Sequence, residues 1–136
     1  MNLDPTAELY KAIRALLIAD ATVNGFVAGR VYSDWSANAG DPLIRLSVPL
    51  IEDYDDDCGA GGIADIRVHV FAKGGPVARS QLAGAVRSAL QDTEPVSTEF
   101  DIEPLTYIDT INTQDPDDPN MFIAVVRFTA SATAIP

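Results

Sequence analysis

Three stretches of this chain carry an apolar side chain at every second position, and this alternation restricts the possible folds more than any other feature. Successive side chains of a strand point to opposite faces, so a period of two predicts strands that bury one face. The alternating residues are Ile44, Leu46, Val48 and Leu50; Ile66, Val68 and Val70; and Phe122, Ala124, Val126 and Phe128. We expect Phe122 and Phe128 to anchor the core, and Pro49, which lacks an amide donor, to mark a sheet edge or a bulge.

Two other segments repeat apolar residues at helical spacing. Asp4 and Pro5 predict the start of the first helix, because Asp can accept from free amides and Pro is tolerated at the first helical position. The second helix is predicted from Pro76 to about residue 92, before Pro95 interrupts the pattern. The apolar stripes are Leu9, Ile13, Leu16 and Leu17 in the first, and Val77, Leu82, Ala83, Val86, Ala89 and Leu90 in the second. Both stripes are expected to pack on a sheet.

Shorter elements complete the predicted order. Asp20 predicts the cap of a short helix that ends near Gly29, and residues 30–33 and 106–113 are predicted as further strands. A chain of 136 residues, 47% of them hydrophobic, suffices for one core and fits a single domain over residues 1–136. The predicted fold class is α+β, a mostly antiparallel β-sheet packed by two main α-helices, with a long acidic β-hairpin loop.

That loop, residues 52–62, lies between the first two long strands and combines carboxylates with glycines. Self-repelling charges and flexible residues make a poor helix or strand, so we expect a hairpin loop that is mobile in the free subunit. Its aspartates are Asp53, Asp55, Asp56 and Asp57. At the end of a hairpin they would reach beyond the domain, and we interpret them as candidate interface or channel-lining residues. The simpler alternative is a solvated loop.

The charge of the chain limits the kinds of partner that it can bind. Nine Lys and Arg residues stand against 20 Asp and Glu residues, a formal net charge of −11, so the field of the protein repels nucleic-acid phosphates. The bases are dispersed, which also argues against binding to an anionic membrane. Cys58 is the only cysteine, so an internal disulfide is excluded. The first residues show no leader pattern, and we expect a soluble protein made in the cytoplasm.

Each candidate chemical site in the sequence is incomplete. Asp53, Asp55 and Asp57 imitate the start of a calcium loop, but Cys58 stands where glycine is needed and Ala64 where the final acid is needed. The glycine-rich stretch 59–62 (GAGG) contains no lysine and precedes no helix, so a phosphate loop is not predicted either. We therefore expect no metal and no cofactor.

The candidate catalytic sites also lack some of the residues that catalysis would need. His69 shares the polar face of a predicted strand with Asp65 and Arg67, yet no nucleophile motif accompanies it, and a surface histidine is the simpler interpretation. The carboxylates at 94, 99, 101 and 103 fall in a stretch predicted as irregular, where a solvated loop is commoner than a glycosidase pair. No catalytic residue is predicted. Tyr32 and Trp35 could be either core aromatics or exposed interface anchors, and the sequence does not decide between these two interpretations.

The order of these elements resembles the tail-terminator or tail-completion proteins of long-tailed bacteriophages and gene transfer agents. The segments that carry the resemblance are 8–17 (ELYKAIRALL), 19–21 (ADA), 27–32 (VAGRVY), 42–46 (PLIRL), 66–74 (IRVHVFAKG), 82–90 (LAGAVRSAL) and 122–128 (FIAVVRF). The resemblance implies an α+β subunit of a homohexameric ring that caps the tail tube. It also implies a tail tube protein and a head-connector protein, the stopper or adaptor, as partners, and DNA that passes through the ring without specific binding.

The resemblance implies assembly in the bacterial cytoplasm and residence in a virion or particle tail. Another neck or minor tail component of similar fold is the nearest alternative. A small carboxylate-dependent hydrolase and a monomeric regulatory binding module are the alternatives from other classes. Ring formation would separate the structural interpretation from the enzymatic one, which requires turnover.

Overall fold

A computed structural model describes residues 3–33, 40–53 and 61–136 of the chain. Within these residues, three helices and six strands follow one another along the sequence. They are α1 (Thr6–Ala19), α2 (Ala21–Val27), β1 (Val31–Tyr32), β2 (Leu43–Asp53), β3 (Gly61–Ala72), α3 (Pro76–Leu90), β4 (Phe100–Ile102), β5 (Thr106–Gln114) and β6 (Phe122–Ala134).

All six strands belong to one sheet, in which β1, β2, β3 and β6 lie side by side in that order. Only the short β1 runs parallel to its neighbour, and the remaining pairs are antiparallel. Strand β6 pairs with β3 along one side, and with β4 and then β5 along the other. The predicted α+β class and mostly antiparallel sheet are confirmed.

Local hydrogen bonds explain where the helices begin. Helix α1 starts at Thr6, whose backbone amide donates to Asp4 Oδ1 at 3.0 Å, so Pro5 precedes the helix instead of occupying its first position. The amide of Val23 donates to Asp20 Oδ1 at 2.9 Å, which confirms the predicted cap of the short helix α2. Helix α2 then ends in the left-handed backbone of Ala28 and Gly29, with φ of 48° and 79°.

The helices cover one face of the sheet and leave the other without a helix. Fully buried residues of α1 and α3 share one core with alternate residues of the central strands. The largest of these buried side chains include Leu9, Ile13, Leu17, Ile44, Ile66, Leu82, Leu90 and Phe128. Phe128 therefore anchors the core as predicted. Phe122 does not, because it is half-buried beneath the guanidinium of Arg79, 5.8 Å from its ring centre.

The first hairpin is longer than predicted. Strand β2 continues to Asp53 and β3 begins at Gly61, so the pairing of β2 with β3 extends into residues that were assigned to the loop. Gly61 and Gly62 are not flexible tip residues. A side chain on Gly61 would collide with the carbonyl oxygen of Ala132, and one on Gly62 would meet Ile51 Cγ2 at 2.5 Å. Close packing of three strands, rather than flexibility, explains these glycines.

Two further differences concern the far side of β6. The stretch predicted as irregular contains β4, in which Asp101 pairs with Thr133. The strand predicted over 106–113 is present as β5, but the side-chain alternation expected of a regular strand, with Ile108 and Thr110 opposite Tyr107, Asp109 and Ile111, is wrong because the register shifts between Tyr107 and Asp109. The shift places Tyr107 and Thr110 on the helix side, where their hydroxyls lie 2.8 Å apart. The bulge predicted at Pro49 is confirmed by a register shift between Ser47 and Leu50.

Candidate assembly surfaces

The acidic hairpin is the first candidate surface from the sequence. Asp53 is exposed and pairs with Gly62 at the last described position of the β2–β3 ladder, which contradicts its predicted place in a mobile loop. Its neighbour Glu52 pairs with Ile63. Asp55, Asp56 and Asp57 lie outside the described residues. The hairpin therefore carries at least two carboxylates on paired backbone, at the end of the sheet.

Tyr32, the second candidate, lies in β1 and is half-buried. It packs with Leu43, Phe71 and Ile123 in a small apolar cluster, separate from the main core. This position makes Tyr32 part of the packing between β1 and its neighbours, and its exposed part leaves the prediction of an interface anchor untested. Trp35 lies outside the described residues.

The helix-free face of the sheet carries a row of charged side chains. Arg67 and Arg127 stand directly opposite each other on β3 and β6. Like charges at such positions repel, and each guanidinium has a carboxylate beside it. Arg127 holds Asp109 through two hydrogen bonds of 2.6 Å, and Arg67 lies 3.1 Å from Asp65.

The ion pair between Arg127 and Asp109 shifts the pKa of both of its members. The hydrogen bonds from Arg127 lower the pKa of Asp109, and the same bonds raise the pKa of Arg127. Both groups therefore remain charged over a wide pH range. The face also exposes Leu50, Ile63 and Ile108, which line an open groove with Glu52, Asp65 and Arg127. Apolar area and balanced charge occur together here, as they do in many protein interfaces.

His69, the candidate base, occupies a cationic setting on the same face. Burial lowers its pKa, and the nearby charges of Arg67 and Arg45 lower it further. Its ring stacks on Phe71, with 6.5 Å between ring centres. The carboxylate of Asp65 is bonded to Arg67, so the arrangement of base and orienting acid considered for His69 is not formed. His69 contributes to the packing and charge of this face.

The other chemical candidates are spread over the surface. Glu94, Glu99, Asp101 and Glu103 are all exposed, in and around β4. Among residues 3–33, 40–53 and 61–136, no group of three or more His, Cys, Asp or Glu side chains is placed to hold a metal ion. In the same residues no helix is both long enough and apolar enough to cross a membrane.

One sheet edge is formed by β1 and β2, and several features obstruct strand pairing there. Strand β1 covers only Ile44 and Arg45 of β2. Beyond it, the amide of Val48 donates to the hydroxyl of Tyr10 on α1 at 3.3 Å. Pro49 and the bulge beside it then interrupt the strand. A proline and a bulge are common means of preventing an edge from pairing with another chain.

The opposite edge is formed by β5, and sequence reasoning missed its importance. Strand β5 pairs with β6 on one side, and no described segment pairs with its other side. After the bulge its register is regular from Asp109 to Gln114. Ile108 and Ile111 are each 48% exposed. The signal available in the sequence was a nine-residue strand with neither proline nor lysine.

Comparison with known proteins gives a consistent result. Over residues 11–132 the sequence matches the family described as tail completion protein gp17. A protein chain in the virion of a native gene transfer agent particle has a similar structure, with a TM-score of 0.83 and 22% sequence identity, and the match covers 94% of this chain and 96% of that one. At this identity the likeness shows a shared fold.

A second solved structure matches at a TM-score of 0.49 and 13% identity, over 93% of this chain and 95% of that one, and carries no argument. No protein with a curated description matches the sequence.

Proposed function

The chain belongs to the tail completion protein gp17 family, which consists of structural phage tail proteins rather than enzymes, and from this premise we propose that it closes the tail tube as a homohexameric ring. In this proposal the ring also provides the surface that joins the tail to the head connector. The carrying observation is the family match over residues 11–132, which includes every described element except the start of α1 and the end of β6.

The helix-free face of the sheet is the surface we assign to contacts between copies. Its bases are Arg45, Arg67 and Arg127, and its acids are Glu52, Asp65, Asp109 and Asp101, which pairs with Thr133 of β6. Three positive charges against four negative charges nearly cancel, so most of the net charge of −11 resides elsewhere on the chain. Identical subunits repel little through a nearly neutral face, and exposed Leu50, Ile63 and Ile108 supply apolar area to bury.

The acidic hairpin has a role in this proposal too. Asp53, with Asp55, Asp56 and Asp57, would either line the passage for DNA or meet a basic partner surface. Changing all four to Asn would make DNA adhere at low salt in the first case, and would weaken tail capping in the second. If this variant caps tails and transmits DNA normally, the four aspartates serve only to keep the loop solvated.

Imaging tests the central proposal. We expect negative-stain micrographs of the purified protein, alone and mixed with isolated tail tubes, to show sixfold rings and tubes capped at one end. A protein that binds the side or the far tip of the tube would instead be another neck or minor tail component. A protein that forms no ring and leaves the tubes unchanged would overturn the proposal.

A further inference from the structure

The open edge of β5 presents a defined set of backbone groups. The amide of Asp115 donates to the carbonyl oxygen of Met121 at 3.0 Å, and this bond continues the β5–β6 ladder past its last pair. Donors of an antiparallel strand point alternately to either side. The backbone amides of the odd-numbered residues after the bulge therefore point toward β6. The amides of Thr110, Asn112 and Gln114 point away from β6, toward the open side of the strand.

Nothing in β5 after its bulge prevents another strand from pairing there. Natural edges are commonly protected by proline, lysine, short length or a bulge. The segment from Asp109 to Gln114 contains neither proline nor lysine, and its register is unbroken. The single charged side chain in this segment, Asp109, is held by Arg127 on the helix-free face and does not block the edge.

A second copy of the chain is a poor occupant for this edge. The other sheet edge is interrupted by Pro49 and its bulge, so head-to-tail extension of the sheet from copy to copy is obstructed. Antiparallel pairing of β5 with β5 would bring acidic ends together, because Asp109 begins the regular segment and Asp115, Asp117 and Asp118 follow its end. Directly opposed like charges destabilise a strand pair.

The charges around β5 favour a basic occupant. Glu103 precedes the strand, and Asp115, Asp117 and Asp118 follow it. Two bases lie nearby and keep their charge: Arg87 lies 3.8 Å over the ring of Tyr107, and Arg79 donates to the carbonyl oxygen of Thr113 at 3.3 Å. The four carboxylates outnumber these two bases, so the ends of the edge are acidic on balance and complement Lys or Arg on an incoming segment.

We infer that β5 accepts an extended strand from a different protein, with Lys or Arg near its ends and an aliphatic side chain that covers Ile111. This inference rests on the proposed function, since a neighbour in the tail would supply the strand. Backbone hydrogen bonds would provide affinity, and the flanking carboxylates would select a basic sequence.

Residue-resolved hydrogen exchange tests which side of β5 becomes covered. In the free protein, we expect the amides of Thr110, Asn112 and Gln114 to exchange quickly and those of Ile111 and Thr113 slowly. In complete tails all five should exchange slowly. Fast exchange at the three outward amides in complete tails would overturn the inference while leaving the ring proposal intact. Protection already present in isolated rings would assign the edge to a second copy, which also overturns it.

A proline variant tests the outward amides directly. Asn112→Pro removes one outward donor and no donor of the β5–β6 ladder, so rings should still form while binding to tail tubes or to the head connector falls at least about tenfold. Asn112→Thr keeps the amide and is the matched control. Unchanged binding by a folded Asn112→Pro protein to both structures would contradict the inference.

A charge variant remains informative if the proline variant does not fold. Asp115→Asn, Asp117→Asn and Asp118→Asn together keep the oxygen atoms that accept from the amides of Asp117 and Asn120 in this turn. Binding to tails should weaken and become less sensitive to salt. Unchanged affinity and unchanged salt dependence would overturn the basic character of the occupant. Absence of rings and caps with the unsubstituted protein would instead contradict the proposed function.

Discussion

The two edges of the sheet have similar lengths of strand but differ in how they meet solvent. At one edge, β2 runs for 11 residues, and β1, the hydroxyl of Tyr10, Pro49 and a bulge occupy or interrupt it in turn. At the other edge, β5 runs for nine residues with a regular register after its bulge and no covering segment in the described chain. A free, regular edge attracts other strands, and an interrupted edge does not.

The difference teaches that the open edge is a consequence of topology as well as of composition. Strand β6 occupies an interior position, so β4 and β5 become the border of the sheet. Because one edge of the sheet is protected and the other is exposed, the two sides of the subunit cannot make the same contacts. A subunit with two different borders is suited to contacts with unlike neighbours, as at the end of a tube.

The largest expected effect comes from loosening the support of the open edge. Phe128→Ala removes a fully buried ring that lies edge-on to Tyr107 of β5, 5.8 Å between centres. The free energy of unfolding should fall by about 3–5 kcal/mol in denaturant titrations. Hydrogen exchange should accelerate more in β5 than in β2. Ile44→Ala, beneath the protected edge, is the control and should show the reverse order. The same order in both variants would mean that the edges are not independently supported.

A smaller effect is expected at the protected edge. Tyr10→Phe removes the acceptor for the amide of Val48, and thermal or denaturant melts should show a loss of about 1 kcal/mol. Tyr107→Phe is the comparison on β5. The partner of its hydroxyl is the hydroxyl of Thr110, which can rotate toward another partner whereas a backbone amide cannot, so the loss should be smaller. An equal or larger loss from Tyr107→Phe would argue against a special role for Tyr10.

The ion pair of β5 should appear as a pH dependence. The pKa of Asp109 is lowered below 3.8 in the folded protein by its bonds to Arg127, so the stabilisation is fully present above the unfolded value and is lost as the pH falls through the folded one. The difference in stability between the wild-type protein and Asp109→Asn should therefore be constant from about pH 7 to pH 5 and shrink below about pH 4. A difference that grows on acidification would contradict this assignment.

The smallest change in stability is expected from a substitution on the open edge that nevertheless reduces association between copies of the protein. Ile111→Lys adds a charge to an exposed position on the open edge and should alter the free energy of unfolding by no more than about 0.5 kcal/mol. Light scattering at high protein concentration should show less aggregation, because lysine discourages strand pairing at an edge. Leu50→Lys, also exposed, serves as the control near the interrupted edge. If both variants reduce aggregation equally, the aggregation arises from the sheet face that the two residues share and not from the open edge.

The elements with a long, regular period could be predicted from the sequence. Strands β2, β3 and β6 and helix α3 bury one face each, and burial of one face is what a periodic pattern records. The three residues of β4 also alternate, but three positions are too few to define a period, and their pairing depends on β6, about 30 residues further along the chain. Gly61 and Gly62 were misinterpreted because local composition does not distinguish a flexible glycine from one that is closely packed.

The candidate surfaces were harder to predict. The charges of Asp65, Arg67, Asp109 and Arg127 were visible in the sequence, but their meeting on one face depends on sheet order and on the bulge in β5. The open edge itself depends on which strand lies at the border, and strand order is a property of long-range pairing. The resemblance to tail-completion proteins identified the chain as a structural tail protein, which the geometry of these surfaces alone does not.

The interior position of β6 has a consequence for synthesis of the protein. A ribosome delivers β6 last among the described elements, yet β3, β4 and β5 all pair with it. Until its residues emerge, β3 lacks one neighbour, and β4 and β5 have no sheet to join. The nascent chain therefore exposes strand edges until β6 emerges, and during that time association with other chains is most hazardous. Emergence of β6 is the step that completes the sheet and makes the subunit competent to assemble.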